Sequence, residues 1–264
     1  MLSDLLKLYE RAMLDKEYLE FSLNICRLPD QAKIIDVGCG TGGSTKIIMD
    51  CYPNASVIGI DNDFNVLEYA TSNVIHKNLK FVCADAKQLP FQKDHFDCCV
   101  SRMLLNIVPD SLNYLSEMKR VLKPKGMLIL YGNVRSTALG SNLLKNSDKI
   151  INGYNRFLRL TNQHGFDVDY IKNILEQELN MKVMVQRIIK DVYNPGRKKL
   201  LSYYAIPEEE LESSLEENVL VKLKLIKREE IIEYENSLWQ ALIDGAEYVS
   251  FEQAIIYAEN RNTK

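Results

Sequence analysis

Histidine is scarce in this chain, with three copies in 264 residues, and tryptophan occurs once. The six cysteines, Cys26, Cys39, Cys51, Cys83, Cys98 and Cys99, contain no C-x-x-C pair, and no histidine stands close enough to complete a zinc site. No metal is expected, and the cysteines read as reduced, mostly structural thiols. An excess of positive charge is also missing: Lys and Arg total 33 against 36 Asp and Glu, a formal charge of −3. That balance disfavours nucleic acid as a partner. The longest basic run, Lys222 to Arg228, alternates with leucines. No stretch of about 18 uninterrupted apolar residues occurs, so no single helix is expected to span a bilayer. Residues 1–21 mix charges of both signs and lack a small-residue cleavage site, which argues against a secretory signal. A soluble, cytoplasmic protein with no membrane partner is expected.

What is present is a 46% hydrophobic chain, enough to bury a large core. Leu5, Leu6, Tyr9 and Met13, then Leu14, Tyr18 and Phe21, recur at three- and four-residue steps and predict amphipathic helices before the first strand. Short apolar runs then alternate with helical patterns: AKIIDVG, SVIGID, LKFVCAD, HFDCCVS and GMLILYG. That alternation predicts βαβ units and a parallel sheet. Helices are expected over 41–51, 62–73, 109–122 and 168–179, with a polar helical insert over 136–164. The runs MKVMVQRIIKDVY and KKLLSYYAI, joined across Asn194-Pro195-Gly196, predict an antiparallel hairpin at the sheet edge. Beyond Pro207 the expectation is helical throughout, including a stripe from Leu211 to Ile226, a helix around Leu238, Trp239 and Leu242, and a last one capped by Ser250 and running to Tyr257.

The strongest local pattern is Asp36-Val37-Gly38-Cys39-Gly40-Thr41-Gly42-Gly43, which comes after the apolar Ile34-Ile35 and precedes a helix. Glycines at such a bend let the backbone approach a ligand beside the N-terminal end of the next helix. Two readings fit. Gly38, Gly40 and Gly43 satisfy the G-x-G-x-x-G of dinucleotide-binding folds, with Asp61 at the distance of a ribose-binding carboxylate. Gly38, Gly40 and Gly42 equally satisfy a G-x-G-x-G loop.

With Val57 to Asp61, Phe81 to Phe91, Phe96 to Ser101 and Met118 to Ile129 in order after it, the loop resembles that of the class I S-adenosylmethionine-dependent methyltransferases. The likeness extends to their small-molecule group, which includes the ubiquinone and menaquinone methyltransferases. The resemblance implies a doubly wound α/β fold with a mostly parallel seven-stranded sheet. It also implies S-adenosylmethionine as cofactor and S-adenosylhomocysteine as product. Asp36, Gly38, Cys39, Gly40 and Gly42 would cradle the methionyl and ribose parts. Asp61, with Asn62 beside it, would take the ribose hydroxyls, and Asp85 and Ala86 would meet the adenine edge. Ser101, ending the fourth strand, is counted with them.

One domain is expected over 1–264, made of N-terminal helices (1–30), a cofactor-binding core (31–135), the insert as a substrate cap (136–164), a last helix with the edge hairpin (165–207) and a helical extension (208–264). The acceptor would be the nitrogen or oxygen of a small molecule or short peptide, as in natural-product tailoring. Catalytic candidates are His164, Tyr18, Tyr154 and Asn106. Asn106 stands near the place where many family members have a histidine after the fourth strand, and an asparagine cannot serve as a base at neutral pH. Two rival functions are an NAD-dependent oxidoreductase and a non-catalytic binder of S-adenosylmethionine.

Overall fold

The computed structural model describes residues 16–140, 149, 156, 165–191, 219–243 and 249–262. In chain order these form α1 (Lys16–Cys26), β1 (Lys33–Val37), α2 (Gly43–Cys51), β2 (Ser56–Asp61), α3 (Phe64–Asn73), β3 (Leu79–Cys83) and β4 (Phe96–Arg102). Next come α4 (Ser111–Val121), β5 (Leu122–Gly140), α5 (Val168–Asn173), β6 (Met181–Asp191), α6 (Val219–Lys222), α7 (Arg228–Ile243) and β7 (Val249–Asn260). The seven strands make one sheet in the order β3-β2-β1-β4-β5-β7-β6. β1 lies parallel between β2 and β4, and β2–β3 and β4–β5 are parallel pairs.

β1 is covered on both faces, so Ile34, Ile35, Asp36 and Val37 are all buried. Continuous apolar strands of this kind are what a parallel sheet between helical layers requires. The helices carry matching stripes: Ser111, Leu115, Met118 and Val121 are the buried face of α4, and Leu19, Ser22 and Leu23 that of α1. Starts are fixed locally. Asp63 caps α3 by accepting from the Asn65 amide at 2.8 Å, and Asp167 caps α5 by accepting from the Tyr170 amide at 3.0 Å. Tyr18 and Phe21 do not share the inward stripe of α1; Tyr18 is half-buried and Phe21 is 52% exposed.

Two sequence expectations are corrected by the fold. β7 replaces the helix expected from Ser250 to Tyr257, and it pairs with β6. Gln253 to Tyr257 are buried without interruption, and an apolar run enclosed on both faces has no two-residue alternation to separate it from a buried helix. The helical extension over 208–264 is therefore helical only in part, at α6 and α7 among its described residues. The Asn194-Pro195-Gly196 turn and 198–206 lie outside the described residues. The second correction is that residues 136–140, expected to begin the helical insert, continue β5. The Asn260 side-chain amide donates to the carbonyls of Leu122 and Lys123, both at 3.1 Å, which sets the end of β7 against the start of β5 and makes the pair antiparallel.

The chain divides into two compact units, one of Met1–Gly132, Phe166–Gln186 and Ala254–Lys264, the other of Asn133–Gly165 and Arg187–Gln253. In the first, the Ser22 hydroxyl donates to the Tyr18 carbonyl at 2.6 Å and stands 2.9 Å from the Tyr257 hydroxyl, joining α1 to β7. In the second, Glu230 accepts from the Lys227 amide at 3.0 Å at the start of α7 and from Lys149 Nζ at 2.8 Å. Gln253 there donates to Asn133 Oδ1 at 2.9 Å.

Gly132 packs too closely for any side chain. A Cβ there would collide with the Phe166 ring and stand 2.7 Å from Asn106 Oδ1. Gly132→Ala should lower stability by about 1–3 kcal/mol in urea unfolding, the usual cost of overpacking. Phe166→Leu in the same background should recover part of that loss.

Candidate functional site

The sheet order reverses between β1 and β4, and the carboxyl ends of the strands at such a switch point are where doubly wound folds hold ligands. A cleft of about 240 Å3 opens there. Five of the residues singled out in the sequence line it: Gly38, Asp61, Asn62, Asp85 and Ala86.

The loop after β1 is fixed mainly by its own backbone. The amides of Gly38 and Cys39 both donate to the Ile60 carbonyl, at 2.8 and 2.9 Å, tying the loop to the end of β2. The Gly40 amide donates to Asp61 Oδ2 at 2.8 Å, and Asp61 Oδ1 accepts from the Asp63 amide at 3.1 Å. Asp61 therefore braces the loop, while Asp63 performs the capping that a carboxylate at this place could otherwise have been there to supply. The glycines differ in purpose. Gly40 has a positive φ of +52° and nothing within 4 Å of where its Cβ would stand, so the space above it is open to a ligand. Gly42 instead begins α2 against Val74, Ala70 and Phe81, where a Cβ would stand 3.0 to 3.2 Å from all three.

Asp36 is the electrostatic anomaly of the site. It is fully buried; Thr45 Oγ1 donates to its Oδ2 at 2.6 Å, and its Oδ1 has no hydrogen-bond partner among the described residues. Desolvation pushes its carboxyl up to about 6, against the opposing help of Thr45, the nearby Ser44 hydroxyl and the charge of Arg102, with Asp61 adding repulsion. A buried, half-satisfied carboxylate is costly unless a donor or cation completes it.

Asp85 sits in the irregular segment after β3. Its Oδ1 accepts from the Lys87 amide at 2.8 Å, and its carbonyl accepts from the Gln88 amide at 3.0 Å, a tight turn that leaves the carboxylate accessible. The rest of the lining is mainly apolar: Leu104, Ile107, Val108 and Pro109 come after β4, and Tyr114 comes from α4. Ile107 is 74% exposed among the described residues, so the apolar lining is open to a ligand on that side. The signal available in the sequence was positional, since this is the loop at a strand end beside the switch point.

Two other residues expected in the site, Ser101 and Cys39, are not among the residues that line the cleft. The Ser101 hydroxyl donates to the Val37 carbonyl at 2.9 Å and is buried, bracing β4 against β1. Cys39 is buried with its thiol toward the Gly40 carbonyl, and desolvation, reinforced by Asp36 and Asp61, pushes that thiol far above its usual range. Of the catalytic candidates, Tyr18 lies on α1 away from the cleft lining, and Asn106 ends the turn Leu104–Asn106 with its Oδ1 against Gly132. His164 and Tyr154 lie outside the described residues. Among the described residues no group of three or more His, Cys, Asp or Glu is placed to hold a metal ion, and no helix is long and apolar enough to cross a membrane.

Residues 35–130 match the family model described as a methyltransferase domain. Over 99 residues the chain is 41% identical to the demethylmenaquinone methyltransferase of Staphylococcus aureus strain JH9, an alignment covering 37% of this chain and 41% of the relative. The chain thus spans about two-fifths of the length of the curated relatives it matches. Among solved structures, the YcgJ protein of Bacillus subtilis is similar in fold, with a TM-score of 0.62 at 16% identity over 93% of this chain and 98% of that one. The phosphoethanolamine N-methyltransferase 2 of Haemonchus contortus, in complex with phosphomonomethylethanolamine and S-adenosylhomocysteine, gives 0.54 at 17% identity over 88% of this chain and 49% of that one.

Proposed function

We propose that this chain, whose residues 35–130 match the methyltransferase-domain model, is a class I methyltransferase that binds S-adenosylmethionine in the cleft at the β1–β4 switch point and transfers the methyl group to a nitrogen or oxygen of a small molecule or short peptide. The observation that carries this over the dinucleotide reading of the same glycines is β7. The dinucleotide-binding order is 3-2-1-4-5-6, whereas here an antiparallel strand enters between β5 and β6.

The residues fit the cofactor. S-adenosylmethionine is cationic at its methionyl end, and Asp36 presents a buried carboxylate oxygen, unpartnered among the described residues, beside the glycine loop. The open space over Gly40 admits a ligand against the backbone. Asp61 keeps acceptor capacity beyond its two amide bonds, which suits a pair of ribose hydroxyls. Asp85 and the Ala86 amide would read the adenine edge. Ser101 and Cys39 would contribute through their main chain, since their side chains bond to the Val37 and Gly40 carbonyls.

When bound, the cofactor supplies a methyl group on a positively charged sulfur, already activated for transfer. The chain's task is to hold an acceptor lone pair in line and keep water out, and proximity and alignment can carry most of the acceleration. Leu104, Ile107 and Val108 provide an apolar wall for that purpose. A neutral amine acceptor needs no base, whereas a hydroxyl would need one. The relatives' names, a demethylmenaquinone and a phosphoethanolamine enzyme, support a small-molecule acceptor.

Thermal-shift titration with S-adenosylmethionine, S-adenosylhomocysteine and NAD tests the reading. At ligand concentrations about 100 times Kd, binding adds about 2.7 kcal/mol of apparent stability. The expected result is stabilisation by the two sulfur compounds; stabilisation by NAD alone would overturn it. Labelled methyl transfer to a panel of amines, phenols, acids and short peptides separates an enzyme from a binder that never turns over.

A further inference from the structure

The cleft is bounded on one side by the segment from Ala84 to Phe91, which contains no helix or strand. Its position must therefore come from individual bonds. Upstream, the Ala84 amide donates to the Asp61 carbonyl at 3.0 Å. Downstream, the anchoring is done by two charged side chains of α4. Arg120 Nη1 donates to the Phe91 carbonyl at 2.8 Å and Nη2 to the Leu89 carbonyl at 2.9 Å. Glu117 accepts from the Leu89 amide at 2.8 Å. The pair is itself locked by two parallel bonds, Arg120 Nε to Glu117 Oε1 at 2.6 Å and Nη2 to Oε2 at 2.8 Å.

Leu89 thus has both main-chain groups held by α4 and its side chain buried, while Asp85, one short turn upstream, remains accessible at the cleft. A surface ion pair used for stability alone gains little. Here the guanidinium fork is spent on backbone carbonyls, a planar task a lysine cannot copy. The same helix carries Tyr114, one turn before Glu117, into the lining of the cleft, close enough to feel the charges of Asp85 and Lys87. Tyr114 and the Ala84 to Phe91 segment therefore share one rigid support.

We propose that Glu117 and Arg120 are positioning residues for base recognition: by clamping Leu89 and Phe91 to α4 they hold Asp85 and Ala86 at the separation from Tyr114 that selects adenine. This rests on the reading that Asp85 and Ala86 meet the adenine edge. Asp85 would accept from the exocyclic amino group, and the Ala86 amide would donate to the adjacent ring nitrogen. Hypoxanthine replaces these with an acceptor and a donor respectively, so it mismatches both.

Calorimetric titration with S-adenosylhomocysteine and S-inosylhomocysteine provides the test without any turnover. The wild type should prefer the adenine compound by at least about tenfold, since unmatched polar groups are strongly rejected. Arg120→Lys should lower affinity for the adenine compound by about tenfold and leave the inosine compound within about twofold, so that the preference collapses. Glu117→Gln keeps one acceptor oxygen and should act in the same direction more weakly, and it carries the comparison if Arg120→Lys fails to fold. Equal losses for both ligands, or no loss, would overturn the clamp. Asp85→Asn separates the two levels. If it abolishes the preference while the clamp variants retain it, the clamp is wrong and the Asp85 assignment stands; if Asp85→Asn leaves the preference intact, both fall.

Discussion

An Asp61→Ala variant should bind S-adenosylhomocysteine at least about a hundredfold more weakly than the wild type, because two hydrogen bonds to a charged acceptor contribute about 1.5–3 kcal/mol each. The loss has a second source. Without Asp61 the amides of Gly40 and Asp63 have no carboxylate to meet, so the loop that should lie under the ligand loosens as well. Asp61→Asn retains one acceptor oxygen and should fall between the two. Calorimetry on all three proteins checks the ranking, and unchanged affinity in Asp61→Ala would remove this residue from the site.

Asp36→Asn should flatten two pH profiles at once. The folded-state carboxyl is raised to about 6 from an ordinary value of 3.8. A raised carboxyl favours the folded protein fully below its unfolded pKa, and that contribution is lost as pH climbs through the folded value. Between about pH 4 and pH 7 the wild type therefore gives up on the order of 2–3 kcal/mol at this one group. Ligand-free unfolding of wild type and Asp36→Asn at several pH values should show the variant gaining by that amount across the window, whatever the fixed cost of the amide. A cationic ligand prefers the ionised form, so wild-type affinity for S-adenosylmethionine should fall about tenfold from pH 7 to pH 5, the proton-competition factor for a group titrating near 6. The variant should bind weakly with no such slope. An equal slope in both proteins would dissociate Asp36 from ligand binding.

Much of this site was legible because its parts end strands. Ile34-Ile35 before the glycine loop, Val57 to Ile60 before Asp61 and Phe81 to Cys83 before Asp85 each announce where a chain leaves a parallel sheet. The loop after β4 carries no such mark: Leu104, Ile107 and, beyond it, Tyr114 acquire their meaning only from the neighbours the fold gives them. Ser101 and Cys39 stand in the same sequence neighbourhood with buried side chains bonded to main-chain carbonyls, a matter of strand alternation and loop twist that the motif does not encode. Ala254 to Ala258 reads as helix because a strand buried on both faces looks the same as a buried helix when only the letters are seen. The edge strand β6, by contrast, begins with a visible alternation of burial at Met181 to Met184.

The placement of β7 also has a consequence for the order of assembly. β6 has ended at Asp191, yet the strand that joins it to the rest of the sheet is not synthesised until Val249 to Asn260. On a translating ribosome, β1 to β5 can pair as they emerge, while β6 waits for the strand that joins it to them, encoded far downstream. Long-range pairings of this kind are slow to form. The interval between those two strands is the period in which the nascent chain is most open to mispairing and to capture by chaperones.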